Sequence, residues 1–432
     1  MFVKHLRVVL NPVAHRFCLT AHVCTNTLFV TGKSGHSYEA SGIYMVRRCV
    51  LFGFATLIFI TLSACTSEGS WDIIRRQQEL VSRNLIWLQR IPLTLNNDSA
   101  DELTDFPVLV LLDASQIDMS VFAPEGRDIR FHAEPIHDRL PHEMDPLPHE
   151  VEYWNPAGVS AVWVRVPRIP ADSSDTRIWM YFDNPTAIDR QRPQEVWSNG
   201  YAAVWHLNED GPPYRDSGPN ELHGTSNVGG YSAPVRSQGH LYGHAQDFAQ
   251  GSKSAIVVRD DPAIQDLGPF TISYITRVES IPIVGARILN KSTLQLWVSP
   301  GDAPAYEVNF TSDNLFQSFA NPWIVNSWTQ FSLGWSGQPS PIDVKLFRNG
   351  LPFDTVFNST PPSGERVSDQ AADLIIGNVT FDQETYRPFG GQISSVMISS
   401  VVRSPGWIQT THRAMFNEGV VEFGVPEAVE YQ

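Results

Sequence analysis

The sequence predicts an all-β protein built from two consecutive antiparallel β-sandwiches. Three observations carry this. Apolar runs are short and are cut by Gly, Pro, Asn and Asp, with twelve tryptophans spread along the chain. Between Ile91 and Phe182 six such runs occur with turn chemistry between them, the spacing of a sandwich rather than of helices. Further on, Asn349-Gly350 sits between two apolar runs, a strong hairpin signal because both residues tolerate positive φ.

Taken in order, the chain opens with residues 1–64, which read as an upstream extension and an export signal. Arg47 and Arg48 precede an apolar run from Val50 to Ile60, followed by Leu62-Ser63-Ala64-Cys65. A positive segment, an apolar core and small residues before a cut site make a secretory signal. The run to Ala64 is short of the roughly 20 residues that span a bilayer. Leu-Ser-Ala-Cys resembles the lipobox of bacterial lipoproteins, which implies acylation at Cys65 and stable membrane anchoring. Met45-Val46-Arg47-Arg48 is a normal start for such a signal, so Met45 is the expected first residue. Thr66 follows the lipid cysteine in place of an Asp, which by resemblance to the Gram-negative sorting rule implies the outer membrane.

The full chain holds 31 Lys/Arg and 46 Asp/Glu, of which six basic residues and one acid precede Cys65. The expected mature chain therefore has a formal net charge of −20. That balance argues against nucleic acid or anionic headgroups as the main partner, so membrane contact is expected through the lipid alone. All four cysteines (Cys18, Cys24, Cys49, Cys65) lie at or before the lipid site, which excludes a disulfide or a cysteine-based metal site downstream.

Residues 65–85 read as a lipid-anchored tether, partly helical in its loose spacing of Trp71, Ile74, Leu80 and Leu85. Residues 86–192 read as the first sandwich. Its expected strands are Ile91 to Leu95, Val108 to Leu112, Ile129 to Phe131, Val151 to Trp154, Ala161 to Val166 and Ile178 to Phe182. Asn96-Asn97-Asp98, Pro124-Glu125-Gly126 and Asn155-Pro156-Ala157-Gly158 supply turns between them. Several ordered blocks, among them Phe106-Pro107-Val108-Leu109-Val110, Leu147-Pro148-His149-Glu150-Val151-Glu152 and Tyr181-Phe182-Asp183-Asn184-Pro185, resemble a domain of unknown function common in secreted bacterial and archaeal proteins. That domain usually precedes a laminin-G-like domain, and some members are associated with biopolymer-transport proton channels. It brings no established chemistry.

Leu140-Pro141-His142-Glu143 recurs as Leu147-Pro148-His149-Glu150, which gathers His132, His137, His142 and His149 in one stretch. Imidazole and carboxylate suit zinc. The spacings match no helical ligand motif, so the expectation is a surface loop lengthened by duplication.

Residues 193–425 read as the second sandwich, with 426–432 as a tail. Val196-Trp197-Ser198-Asn199-Gly200-Tyr201-Ala202-Ala203-Val204-Trp205-His206-Leu207 resembles the entry into a laminin-G-like, concanavalin A-like lectin/glucanase jelly roll, and later blocks keep that order to Phe423-Gly424. Ser404-Pro405-Gly406-Trp407-Ile408 opens a last helix. By this resemblance a structural Ca2+ is expected, with Asp216 as best ligand and Asn220 as a weaker one. The alternative for Asp216-Ser217-Gly218 is a plain turn with the Asp capping local amides. The family often carries Asp-Glu where this chain has Ser394-Ser395.

Sugar recognition would need exposed aromatics, and Trp297, Trp323, Trp335 and Tyr386 are candidates because polar or turn residues lie nearby. Strand alternation around Trp297 speaks for core, and core packing is the commoner fate of any tryptophan. No Gly-x-Ser-x-Gly elbow, His-Glu-x-x-His or phosphate loop is present. The expected function is a non-catalytic envelope lipoprotein that binds a polysaccharide or a surface protein. The alternatives are a polysaccharide-cleaving jelly roll and a structural adaptor of an envelope transport complex.

Overall fold

The computed structural model describes residues 4–10, 17–24, 27–31, 37–40 and 86–429, less the internal stretches 136–144, 250, 281–284, 299–303, 320–323, 341–342, 354, 358–360 and 380–386. Met45 to Cys65, the tether, His137, His142, Trp323 and Tyr386 fall outside the described residues. The chain divides into two compact units, Met1–Arg76 and Gln77–Gln432. In the first, β1 (Lys4–Leu10), β2 (Phe17–Cys24), β3 (Thr27–Thr31) and β4 (Ser37–Ala40) form a four-stranded antiparallel meander. Among the described residues no helix is long and apolar enough to cross a membrane.

The second unit is all-β and antiparallel throughout its named sheets. Its first six strands are β5 (Gln89–Asn97), β6 (Leu103–Asp113), β7 (Arg130–His132), β8 (His149–Tyr153), β9 (Val159–Ile169) and β10 (Ser173–Phe182). All six expected strands are present. In β5 the alternation places Ile91, Leu93 and Leu95 inward, while Arg90, Pro92 and Thr94 are partly exposed. Strands β6, β9 and β8 form one sheet, and β5, β10 and β7 form its partner.

The partner sheet is completed from the far end of the chain. Strands β27 (Val421–Phe423) and β28 (Glu427–Ala428) both pair with β5, Val421 opposite Leu95 and Glu427 opposite Arg90. The helix α2 (Pro405–Met415) also packs on this sandwich. Ser404 caps it at Trp407 N (3.3 Å), Asp101 accepts from Gly406 N at 2.7 Å, and the Trp407 ring meets Phe106 edge-on at 4.7 Å. Residues 421–428 thus follow the second sandwich in sequence but complete a sheet of the first, while α2 lies between the two, with His412 Nδ1 3.0 Å from Gln330 Oε1 and the Trp407 indole N–H donating to Tyr201 Oη at 3.2 Å.

Between these segments lies the second sandwich. A one-turn helix α1 (Pro193–Val196) leads into β11 (Tyr201–Trp205). One sheet runs β13 (Val235–Gln238), β14 (His244–Phe248), β26 (Gly391–Ser399), β16 (Phe270–Val278), β21 (Trp328–Trp335), β22 (Val344–Arg348) and β23 (Leu351–Pro352), with β11 on β26. The other runs β12 (Gly224–Thr225), β15 (Ile256–Val258), β25 (Leu374–Ile376), β17 (Ala286–Lys291), β18 (Leu294–Val298), β19 (Pro304–Asn309), β20 (Asn314–Phe319) and β24 (Thr355–Phe357). The Asn349-Gly350 turn joins β22 to β23 as expected, with φ of 50° and 74°.

The two sandwiches share an interior. Val196, Trp197, Tyr201, Val204, Tyr242, Ile275 and Met397 of the second sandwich lie in the same apolar cluster as the core of the first. Strand β26 is buried along its whole length for this reason. Ile393, Val396 and Ile398 face the second core, while Met397 faces the shared one. A strand covered on both faces reads as a continuous run rather than an alternating one. Ser394 and Ser395 are buried in it, at 6% and 4% exposure. A carboxylate pair at these positions would be desolvated.

Candidate functional site

Strand β8 positions two carboxylates on one face, because Glu150 and Glu152 are two residues apart. That face points toward β11. There Trp205 enters the second core and Val204 the shared one, so His206, two on from Val204, falls on the shared side. His206 Nε2 lies 3.4 Å from Glu150 Oε2, and its Nδ1 lies 3.4 Å from Glu152 Oε2. The three side chains are almost wholly buried, at 9% (His206), 10% (Glu150) and 5% (Glu152) exposure.

Burying charges is tolerable only when their hydrogen bonds are met. Here they are. Trp197 Nε1 donates to Glu150 at 2.7 Å, and the Ser217 hydroxyl donates to its other oxygen. Trp163 Nε1 donates to Glu152 at 2.6 Å, Tyr242 Oη at 3.2 Å and Asn208 Nδ2 at 2.9 Å. The indoles of Trp163 and Trp197 meet at 4.9 Å, and Trp163 lies against the imidazole of His206 at 6.1 Å.

The protonation states follow. Burial alone would lower His206, but Glu152 and Glu150 outweigh it and push its pKa up to about 9. Burial would raise Glu150, yet His206, Ser217 and Trp197 hold it below the usual carboxylate range. Glu152 stays raised, because burial exceeds what His206 and Trp163 return and Glu150 adds repulsion. The network is an imidazolium from the second sandwich clamped between two carboxylates from β8 of the first.

A pH dependence follows from the raised imidazole. Its contribution is complete below the ordinary histidine value of 6.5 and fades as pH rises toward 9. In chemical denaturation, the stability gap between wild type and His206→Gln is expected to be widest near about pH 6 and to shrink by about pH 9. A gap constant over that range would mean that the imidazole carries no charge.

A cleft of about 510 Å³ opens beside this network. One wall is the β8–β9 hairpin, with Tyr153, Asn155 and Val159; the other is β13 and its turn into β14, with Arg236, Gln238, Leu241, Tyr242 and His244. Tyr153 and His244, both lining residues, meet edge-on with ring centroids 5.5 Å apart. The network is wired to this rim at two points. Tyr242 lines the cleft and donates to Glu152, and Asn208 holds Glu152 while its Oδ1 accepts from His244 N at 2.6 Å. Gly243 between them has φ +61, and a Cβ there would stand 2.3 Å from Asn208 Oδ1, so glycine is required.

Residues 125–204 match the model of a domain of unknown function, DUF2341. The matched stretch runs from β7 into β11, including Glu150, Glu152, Trp163 and Trp197, and stops two residues before His206. No curated protein is a significant match to the chain. Among solved structures, the binding domain of Paraclostridial Mosquitocidal Protein 1 is similar at 12% identity and a TM-score of 0.40, over 51% of this chain and 53% of that one. The chain thus spans about half the length of that relative. Domain 4 of AbnA, a GH43 extracellular arabinanase from Geobacillus stearothermophilus solved with arabinotriose, gives 15% and 0.35, over 48% and 96%. The CBM40 of Ruminococcus gnavus IT-sialidase, bound to α2,3 sialyllactose, gives 16% and 0.26, over 34% and 83%.

The residues singled out from sequence lie elsewhere. Asp216 is buried, and its Oδ1 accepts from Val204 N and Gly218 N, both at 2.7 Å, while Oδ2 accepts from Leu222 N at 2.8 Å. Both oxygens accept from backbone amides of β11 and the following turn, the arrangement of the capping alternative. Asn220 Nδ2 donates to Ala202 O at 2.8 Å. Among the described residues no group of three or more His, Cys, Asp or Glu is placed to hold a metal.

Trp335 is corrected as a sugar platform. It is fully buried beside Phe270 and Phe310, with its indole N–H on Gln338 O at 2.8 Å. Trp297 is core, at 9% exposure, with Arg287 over its ring at 4.7 Å. His132 and His149 are interior rather than in a surface loop. Burial, with Arg130 nearby, lowers them to about 4 and about 3.

Proposed function

We propose that the chain is an envelope lipoprotein, anchored by lipid at Cys65, whose paired sandwiches act as a carbohydrate-binding module. The observation that carries the reading is the cleft at the junction of the sandwiches. Its volume of about 510 Å³ falls within the range of ligand sites, roughly 300–1,000 Å³. Its walls combine what a sugar needs. Tyr153 and His244 offer ring surfaces for apolar sugar faces, and Asn155, Gln238 and Arg236 offer side chains for hydroxyls. The charged network beneath fixes Tyr242 and the 243–244 backbone in place, so the binding surface is preorganised. The laminin-G-like reading of the second sandwich and an outer-membrane location belong to the same proposal.

The test is a pull-down of residues 66–432 on a panel of immobilised polysaccharides, with calcium and with a chelator, the supernatants assayed for released sugar. Retention that Tyr153→Ala abolishes and the chelator does not is expected, with no sugar released. Released sugar would turn the reading to a cleaving enzyme, and no retention on any polymer would turn it to a protein partner. For the anchor, Cys65→Ser is expected to move the protein from the membrane to the soluble fraction on cell fractionation. Retention in the membrane would end the lipoprotein reading.

A further inference from the structure

We infer that the cleft takes an acidic saccharide, one bearing a carboxylate of the uronate kind, and that Arg236 reads that carboxylate. The inference rests on the reading of the cleft as a sugar site and names its substrate class. It starts from charge. The chain holds 46 acidic against 31 basic residues, yet the described lining of the cleft includes Arg236 and His244 and neither Asp nor Glu. Glu152 lies behind this wall, under the hydroxyl of Tyr242, and is compensated by His206. Within an acidic chain, the Arg236 guanidinium is the permanently charged group in the described lining of the cleft.

Arg236 sits in β13, the terminal strand of its sheet, with its side chain 39% exposed. Among the described residues its ionic contact is Nε to Asp210 Oδ1 at 3.5 Å, and Asp210 is itself 75% exposed. A surface pair of this length is weak. It occupies one of five N–H donors of a planar fork whose geometry matches a carboxylate in two parallel bonds. Gln238, two residues on in the same strand, also lines the cleft, and Tyr153 stands on the opposite wall. Carboxylate, hydroxyl and ring face can thus be met together by one pyranuronate. Asp210, beside Arg236, is the acid such a ligand displaces, and repulsion from acidic groups beyond about 8 Å is screened at physiological salt.

The experiment compares two homogalacturonans that share a backbone and differ in charge, one de-esterified and one highly methyl-esterified. Both are immobilised, and the mature chain is applied with chelator present. The wild type is expected to be retained about tenfold more strongly on the de-esterified polymer, the worth of one charge-assisted hydrogen bond. Arg236→Gln is expected to bring the two retentions level, and Arg236→Lys to restore part of the preference. Equal retention of both polymers by the wild type, lost with Tyr153→Ala, would overturn the acidic-sugar inference and leave the cleft as a neutral sugar site. A preference that survives Arg236→Gln would overturn the role of Arg236. Failure to retain any sugar polymer would overturn the underlying reading along with it.

Discussion

Glu150→Ala is expected to lower the stability of the chain by about 3–5 kcal/mol, the cost of removing one partner from a buried ion pair. Three groups lose their acceptor at once: the Trp197 indole N–H, the Ser217 hydroxyl and the His206 imidazolium. None of them can turn to water, because Trp197 is fully buried and Ser217 and His206 are nearly so. Equilibrium unfolding in denaturant measures the loss. One cooperative transition is expected, since the two sandwiches share one apolar interior. Glu150→Gln keeps volume and an acceptor but not charge, and should fall between wild type and alanine. A double-mutant cycle between Glu150 and His206 should give a coupling of at least about 1 kcal/mol. A loss below about 1 kcal/mol for Glu150→Ala would place the network among the ion pairs that contribute little.

Separating the two sandwiches is expected to abolish the first one outright. A fragment of residues 86–192 lacks β27 and β28, leaving the outer edge of β5 unpaired, and lacks α2, leaving Phe106 without Trp407. It also uncovers the faces of β9 and β8 that meet Trp197 and His206. The fragment should show no cooperative thermal transition and no near-ultraviolet dichroism. The single substitution Trp407→Ala reports on the same packing within the whole chain. Its ring contacts Phe106, and Arg403 stacks over it at 4.1 Å, so about 3–5 kcal/mol is expected. A fragment 86–192 that melts cooperatively would show that the first sandwich is independent.

The strands of the first sandwich were legible because their information is local. Alternation marks β5, and turn residues such as Asn96-Asn97-Asp98 mark the breaks. Its completion was not legible. Val421–Phe423 and Glu427–Ala428 are too short to carry a period, and their partner lies 326 residues earlier at Leu95.

The chemistry of the site was hidden for a related reason. Glu150, Glu152 and His206 stand in plain view within apolar stretches, and a charged residue there is a signal. Which of them become buried is decided by the other sandwich, which no local pattern encodes. Trp335 misleads in the opposite sense. Gly334 and Ser336 around it imitate a turn, yet it ends a core strand. Asp216 admits two roles by spacing, and the three backbone amides that meet its carboxylate come from segments whose proximity spacing does not show.

The pairing of β5 with β27 has a consequence for biosynthesis. A chain made from its amino end exposes the apolar edge of β5 long before its cover exists. At about 5–20 residues per second, the interval between Leu95 and Val421 amounts to roughly 15–65 s of synthesis. During that time an uncovered strand edge is a template for misassociation. The first sandwich to be made is thus the last to be finished, and a chain that ends anywhere before residue 421 leaves this edge of β5 without its β27 cover.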